Sequence, residues 1–426
     1  MSGPSAHPSA PPGWLSLLTV EGAERLAAVA EAVAAGSTPD RAGAELRAGG
    51  VPPDEVSAVL TQHDLRQRAR SKFGDTAAAM LFTRAGLEQA TRAPVAALHA
   101  RRFADAGCRD VADLGCGIGA ESLALQAAGL RPLPVEIDPF TAAIAQHNLA
   151  VCGPGAAVTV ADAEAVAFDA SPLDAGPLDA AGPGRADGVF LDPARRTSGH
   201  SDTRRLASHD DYSPSLGFAF GLAERRPAGI KLGPGFDRDL IPEHAEAQWV
   251  SVDGQLVETG LWFGAAARPG VRRAALILHE GPAGTSSHEL TAAGDSPDAA
   301  TRPLGEYLYE PDGAVIRARL IGLLAERLGA GMVGDGIAYL TADTRDAAGT
   351  PFAAAFRIVE ELPAGEKQLR RALAERGIGR LEIKKRGVPV DPAALRTRLR
   401  LAGPNGGTLI LTRAQGRHVA LLAERI

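Results

Sequence analysis

The sequence predicts an α/β fold: a doubly wound parallel sheet at the centre, a helical region before it and an α+β module behind it. Three observations carry this reading. Short apolar runs alternate with helical periodicity between residues 101 and 280. Four of those runs close on an acid, at Asp113, Glu136, Asp162 and Asp192. The first is followed at once by glycines at alternate positions, Gly115, Gly117 and Gly119.

The elements follow in order. After a Pro-rich start, apolar residues three and four apart predict helices over Leu18–Ala35, Pro39–Ala48, Pro53–Lys72 and Arg84–Ala104. The breaks Gly36–Asp40 and Gly49–Asp54 end in capping residues or a first-turn Pro. A strand through Val111–Asp113 then precedes strands at Pro132–Asp138, Val158–Asp162 and Gly188–Asp192, the last stopped by Pro193, which cannot donate to a ladder. Gly229–Leu232 is a fifth strand, Ala247–Val252 and Ala274–Leu278 a sixth and seventh, with Gly260–Phe263 nearby. The low-complexity stretch 170–184 reads as a mobile surface loop, and residues 281–303 have linker composition. Beyond them lie a strand (Glu306–Tyr309), a helix (Asp312–Leu328), strands at Ile337–Thr341 and Phe352–Leu362, a helix (Gly365–Arg376), a strand (Arg380–Lys385), a helix (Pro392–Leu401) and closing strands at Thr408–Thr412 and His418–Ala423. The expected domains are a helical region (1–100), the sheet domain (101–280), a small α/β unit (304–355) and a basic α+β unit (356–426).

Composition narrows the classes. A length of 426 residues implies two to three cores at about 150 residues each. Cys108, Cys116 and Cys152 lack paired spacing and a neighbouring histidine cluster, so neither a disulfide framework nor a zinc site is expected, and a reducing cytoplasm fits. No run approaches the roughly 18 apolar residues of a membrane span, and the N-terminus lacks a charged-then-apolar signal pattern. A soluble cytoplasmic protein is expected. Charge is uneven: Ala364–Ile426 holds 14 Lys and Arg against 5 Asp and Glu, inside a chain whose net charge is −6. Such asymmetry fits a nucleic-acid-contacting end module, or equally a solvated helical face.

The glycine turn needs positive φ angles and an absence of Cβ atoms, which lets backbone NH groups approach a ligand closely. Glu136, at the next strand's end, stands where a carboxylate accepts both ribose hydroxyls of an adenosine. Gly115-Cys-Gly117-Ile-Gly-Ala120 also fits the looser dinucleotide-binding pattern of nicotinamide enzymes. Asp113 before the glycines and the Asp192-Pro193 strand end separate the two. With these residues the chain resembles the class I S-adenosylmethionine-dependent methyltransferases. The resemblance implies a Rossmann-like sheet binding S-adenosylmethionine: Asp113, Gly115, Gly117 and Gly119 bordering its methionine end, Glu136 on the ribose, Asp162 facing the adenine amino group, and Asp192-Pro-Ala-Arg195 beside the methyl. Ala194 and Arg195 replace the aromatic that amine-methylating relatives stack on a flipped base. The whole layout resembles a bacterial group of such enzymes with a C-terminal THUMP-like domain, through Leu87-Glu-Gln-Ala-Thr91, Leu191-Asp-Pro-Ala-Arg-Arg196, Leu308-Tyr-Glu-Pro-Asp312 and Leu381-Glu-Ile-Lys-Lys-Arg-Gly387. THUMP domains bind RNA, so the resemblance implies an RNA partner.

Methyl transfer is an in-line displacement that needs a positioned nucleophile and a place for its proton. Asp192 is the candidate holder of that nucleophile, with Pro193 fixing the neighbouring carbonyl; the alternative is a turn cap. Lys72, Asp192, Lys231 and Glu258 stand in the order of a ribose-methylating tetrad, although Lys231 could equally neutralise Asp192. No Cys follows Cys152, which sets aside thiolate chemistry at pyrimidine C5 and leaves a base nitrogen as the leading target. Arg195 and Arg196 are candidates to grip phosphate or a base edge. Gln89 and Thr91 are candidates to touch the cofactor's carboxylate, and Tyr212 to offer a stacking face. His200, His209, Asp210 and Asp211 lack ligand spacing, so no metal is expected. Lys384, Lys385 and Arg386, with Arg396, Arg398 and Arg400 on the next helix, predict a backbone-contacting, salt-sensitive RNA surface. A non-catalytic RNA-binding protein and a small-molecule methyltransferase are the alternatives.

Overall fold

The structure, a computed structural model, describes residues 10–168, 183–195, 212–282, 284–347 and 349–426. They form two compact units: one runs to Leu232 and takes in Trp262–Ala267, the other holds Gly233–Leu261 and Arg268–Ile426.

The first unit opens with helices α1 (Val20–Ala34), α2 (Pro39–Ala48) and α3 (Pro53–Phe73). Thr19 and Thr38 cap the first two by accepting the NH groups of Gly22 and Arg41, and Pro39 and Pro53 occupy first turns where a missing NH costs nothing. Leu26, Val29, Val59 and Leu65 are buried together with Met80, Leu81 and Phe82. Two buried amides hold this last segment. Gln62 clamps both backbone groups of Phe82, and Asn148 clamps both of Leu81 while also donating to the Ile118 carbonyl.

One expected helix is two: α4 (Arg84–Gln89) and α5 (Ala93–Asp105), with Ala90 extended between them. Pro94 is the reason. Its ring is accepted in the first turn of α5 and would break a continuous helix. The sheet then follows: β1 (Asp110–Leu114), α6 (Ala120–Ala127), β2 (Arg131–Glu136), α7 (Pro139–Cys152), β3 (Thr159–Val160), β4 (Gly188–Leu191), β5 (Ala194–Arg195), β6 (Tyr212–Ser213), α8 (Leu216–Ala223) and β7 (Ala228–Leu232). Within this unit the order is β3-β2-β1-β4-β7, all parallel. The order reverses at β1, which pairs with β2 on one side and β4 on the other; ligands of such sheets bind beyond the strand ends at this switch. Leu114 stands opposite both Val135 and Leu191, so the residues after β1, β2 and β4 leave the sheet side by side. Beneath the sheet His99, Phe103, Phe190 and Trp262 pack ring on ring, and a Cβ at Gly229 would come within 2.7 Å of Trp262. Most of the 170–184 stretch lies outside the described residues.

The second unit begins with β8 (Glu246–Val252), β9 (Gln255–Phe263, its last two residues belonging to the first unit), β10 (Arg273–Gly281) and β11 (Gly284–Ala292). The expected short segment at Gly260–Phe263 is thus the end of a longer strand. β11 occupies part of the expected 281–303 linker: it runs antiparallel to β10. Its Thr285, Ser286 and Ser287 are exposed and only Leu290 is buried, so an outer strand with a polar face reads as linker.

A seven-stranded sheet follows, built from β12 (Tyr307–Pro311), α9 (Gly313–Arg317), α10 (Ile321–Leu328), β13 (Gly331–Met332), β14 (Leu340–Ala342), β15 (Ala353–Leu362), α11 (Glu366–Glu375), β16 (Ile378–Lys385), α12 (Pro392–Leu399), β17 (Asn405–Ala414) and β18 (Arg417–Arg425). Its order is β13-β14-β12-β15-β18-β17-β16. The expected helix 312–328 is split where Arg319 takes a positive φ of 59°, which no helix interior accepts. Leu308, Phe356, Ile410 and Leu421 are buried together in this sheet, and Leu373 of α11 and Leu395 and Leu399 of α12 are buried together with Leu409 of β17. No helix among the described residues is long and apolar enough to cross a membrane.

Candidate functional site

The glycine turn is built as its sequence demands. Gly115, Gly117 and Gly119 hold φ angles of 83°, 55° and 89°, the left-handed region that other residues enter only with strain. The NH groups of Gly115 and Cys116 both donate to the Val135 carbonyl and lock the turn to β2. A Cβ on Gly115 or Gly117 would meet nothing within 4 Å, whereas one on Gly119 would touch Ala145 at 3.6 Å. The first two glycines thus line an open cradle, and the third closes against α7. Glu136 closes the neighbouring end: its carboxylate accepts the Gly117 NH at 2.9 Å and the Asp138 NH at 3.0 Å. Next to it Ile137 is a large apolar side chain left 46% exposed.

Asp113 lies under this turn, fully buried, and accepts the Ser122 hydroxyl at 2.6 Å. Burial raises its carboxyl to about 7, against the pull of Ser122 and with the charges of Glu121 and Asp192 adding to the rise. Asp162 is exposed and accepts the Glu164 NH, the start of a short 3-10 turn.

Asp192 follows β4, and Lys231 lies near the end of the adjoining β7, where Leu191 pairs with Ile230. The Lys231 ammonium, 13% exposed, reaches Asp192 at 2.5 Å and the Gln89 carbonyl at 3.1 Å. Lys72 takes the other carbonyls at the end of α4, those of Leu87, Glu88 and Ala90, at 2.7–2.8 Å. Two lysines thus cap one helix C-terminus, where the helix dipole is negative. Burial first, then the charges of Lys231 and Arg92, lower the Lys72 ammonium to about 8.

Glu121, in the first turn of α6, meets the His99 ring at 3.2 Å, and both are buried. Burial alone would raise this carboxyl, but His99, a hydrogen bond from Thr91 and the Lys231 charge hold it below the usual range.

The structure therefore gathers Asp113, Asp192, Lys231 and the 87–91 segment around the ends of β1, β4 and β7. Gln89 contributes its backbone carbonyl rather than its amide, and Thr91 binds Glu121. Of the expected tetrad, the Lys72 ammonium is committed to three backbone carbonyls and Glu258 is buried in β9. Tyr212 is 8% exposed, which removes it as a stacking face. Arg195 enters the β5 strand paired with Tyr212, while Arg196, His200, His209, Asp210 and Asp211 lie outside the described residues. Among the described residues no group of His, Cys, Asp or Glu could hold a metal ion. Sequence reasoning missed Glu121, His99 and Ile137. Only Ile137 carried a local signal, its place directly after Glu136.

At the basic end, Lys384 pairs with Glu310 at 2.7 Å and Glu382 at 3.4 Å, and Arg386 lies over the Tyr339 ring at 5.2 Å. Lys385 is exposed.

Known proteins resemble this chain over most of its length. Residues 353–425 match the THUMP domain-like family, and residues 13–69 match a domain of unknown function. Two curated relatives, from two strains of Mycobacterium tuberculosis, are named uncharacterized S-adenosylmethionine-dependent methyltransferases. Each is 35% identical over 358 residues, covering 82% of this chain and 90% of the relative. A solved structure from Porphyromonas gingivalis, provisionally named a methyltransferase, shares the fold with a TM-score of 0.67 and 22% identity, over 94% of this chain and 98% of that one.

Proposed function

The chain belongs to the S-adenosylmethionine-dependent methyltransferases, and from that premise we propose that it methylates a base nitrogen of structured RNA, with Asp192 holding the nucleophile. The observation that carries the Asp192 role is the Lys231–Asp192 pair at the strand ends, directly beside the open glycine cradle. The RNA half rests on the THUMP domain-like match and the basic C-terminal stretch. The domain reading that goes with it has a helical region (1–100), a catalytic domain (101–280), a small unit (304–355) and an RNA-presenting domain (356–426).

The residues present fit the cofactor. Gly115 and Gly117 leave room where a Cβ would stand, Glu136 retains lone pairs for ribose hydroxyls beside its two backbone bonds, and exposed Ile137 offers an apolar face to a purine. Asp113 and Gly119 shape the turn, and Asp162 would meet the adenine amino group. Bound there, S-adenosylmethionine supplies an electrophilic methyl carbon. Asp192 would accept a hydrogen bond from the N–H of the target base, aim its lone pair, and hold the proton that the nitrogen gives up. Lys231 fixes that carboxylate through an ammonium itself anchored on the Gln89 carbonyl. Arg195, three residues on, would grip substrate phosphate.

Mass spectrometry of nucleosides from cells with and without the gene tests this. A methylated base absent on deletion, restored by the wild-type chain and not by Asp192→Ala, is expected. Restoration by Asp192→Ala overturns the role of Asp192, and an unchanged nucleoside profile overturns the RNA substrate.

A further inference from the structure

Some cations of the C-terminal stretch are already paired with carboxylates and others are not. Arg376 is tied to Glu360, Arg398 to Glu366, and Lys384 to Glu310. Lys367, Arg370 and Arg400 are exposed, and among the described residues no carboxylate pairs with them; Arg371 meets only the exposed Glu375, at 3.4 Å. These four line a single groove of 870 Å³ that has no acidic residue in its wall. Lys367, Arg370 and Arg371 stand three and four apart, on one face of α11. Arg400 faces them from the end of α12, in a left-handed conformation with φ 48°.

The groove has a fixed shape. The loop after Arg400 is pressed onto the start of β16: a Cβ on Gly403 would lie 1.9 Å from the Gly377 carbonyl oxygen, and one on Gly379 would lie 1.8 Å from that of Gly403. Only glycines permit that approach, and it holds the Arg400 rim in place. The rest of the lining, Ile378 and Leu401 among it, holds no aromatic side chain on which a base could stack.

We propose that this groove, rather than the Lys384–Arg386 end of β16, receives the phosphodiester backbone of the RNA. The proposal rests on the RNA reading above and names the surface that serves it. Four converging cations in a wall that holds no acid suit a run of phosphates, and the missing aromatics make the contact independent of base identity.

The test is the affinity of the full-length protein for bulk tRNA, measured by filter binding between about 50 and 300 mM salt. The double variant Arg370→Ala with Arg400→Asn is suited to it, because Asn tolerates the left-handed backbone at 400. Its expected affinity is lower by about tenfold or more at low salt, with a slope of log K against log salt shallower by ~1.4–1.8, two phosphate contacts' worth. Lys385→Ala is expected to change far less, and Arg370→Lys to keep the slope. An unaltered unfolding midpoint separates lost contacts from lost fold. A double variant that binds tRNA as tightly as wild type, with the same slope, overturns the groove and leaves the RNA reading standing. Wild-type protein that binds no RNA overturns the reading beneath it. Binding of polyglutamate in preference to tRNA would assign the groove to an acidic protein partner and overturn the proposal as well.

Discussion

Alanine at Gly117 separates what the glycine turn does for the fold from what it does for the cofactor. Gly117 has a φ of 55° and a Cβ there meets nothing within 4 Å, so the substitution introduces left-handed strain but no clash with the protein. That strain is worth about 1–2 kcal/mol of stability. Into the cradle, however, the new methyl projects where the methionine end of the donor would sit. Losing close backbone approach there should weaken S-adenosylmethionine by about 30-fold, or ~2 kcal/mol, in the protein that remains folded. Gly119→Ala is the control: its φ is 89°, so the strain is similar, but its Cβ faces Ala145 at an ordinary 3.6 Å and not the cradle. Urea unfolding gives the first quantity and isothermal calorimetry with S-adenosylmethionine the second. Both variants should lose similar stability, and Gly117→Ala alone should lose most of its affinity. Equal donor affinity in the two variants would refute the assignment of the open side of the turn to the cofactor.

Three further outcomes follow from the same geometry. Lys231→Met should cost about 2 kcal/mol of stability, less than the 3–5 kcal/mol of a fully buried pair because Asp192 is 34% exposed. Combined with Asp192→Asn it should fall short of additivity by about 1 kcal/mol, and a sum additive within ~0.3 kcal/mol would mean the ion pair contributes nothing. Asp113 has a folded value of about 7, above its ordinary one, so its contribution is fully present at low pH and is lost as pH rises towards and through 7. Asp113→Asn should flatten the fall in unfolding free energy between about pH 4 and 7; an identical slope in the variant would contradict the raised value. Glu121 behaves oppositely: its carboxyl is held low, so its contribution is present above the ordinary carboxylate range and is lost as pH falls through its lowered value. Glu121→Gln should cost about 3 kcal/mol at neutral pH, since it leaves buried His99 without its anion, and progressively less in acid; a cost that stays constant down to the lowest pH tested would contradict it.

The parts legible in the sequence are those written in neighbouring residues. Asp113 through Gly119 is a strand end joined to a turn that only glycine can make, and Asp192-Pro193 is a strand end that proline enforces. Lys231, one of five lysines in the chain, already reads in the sequence as a group that could neutralise Asp192. What stayed hidden depends on packing between distant segments. Lys72 reaches carbonyls of α4, and Lys231 reaches Gln89, across separations that no periodicity encodes. His99, which meets Glu121, is held in a ring stack with Phe190 and Trp262 that brings together residues far apart in the chain. At the basic end, the sequence offered many cations but not which were already paired; Lys384 with Glu310 could be recognised only once β12 and β16 were placed in one sheet.

The most direct measurement is transfer of isotopically labelled methyl from S-adenosylmethionine to RNA by the purified chain, with the product nucleoside identified, for wild type and for Asp192→Asn. The account predicts label on a base nitrogen with wild type and at least a hundredfold slower labelling, about 2.7 kcal/mol in the barrier, with Asp192→Asn while donor affinity persists. Label on a ribose hydroxyl, or labelling by Asp192→Asn at the wild-type rate, would contradict it.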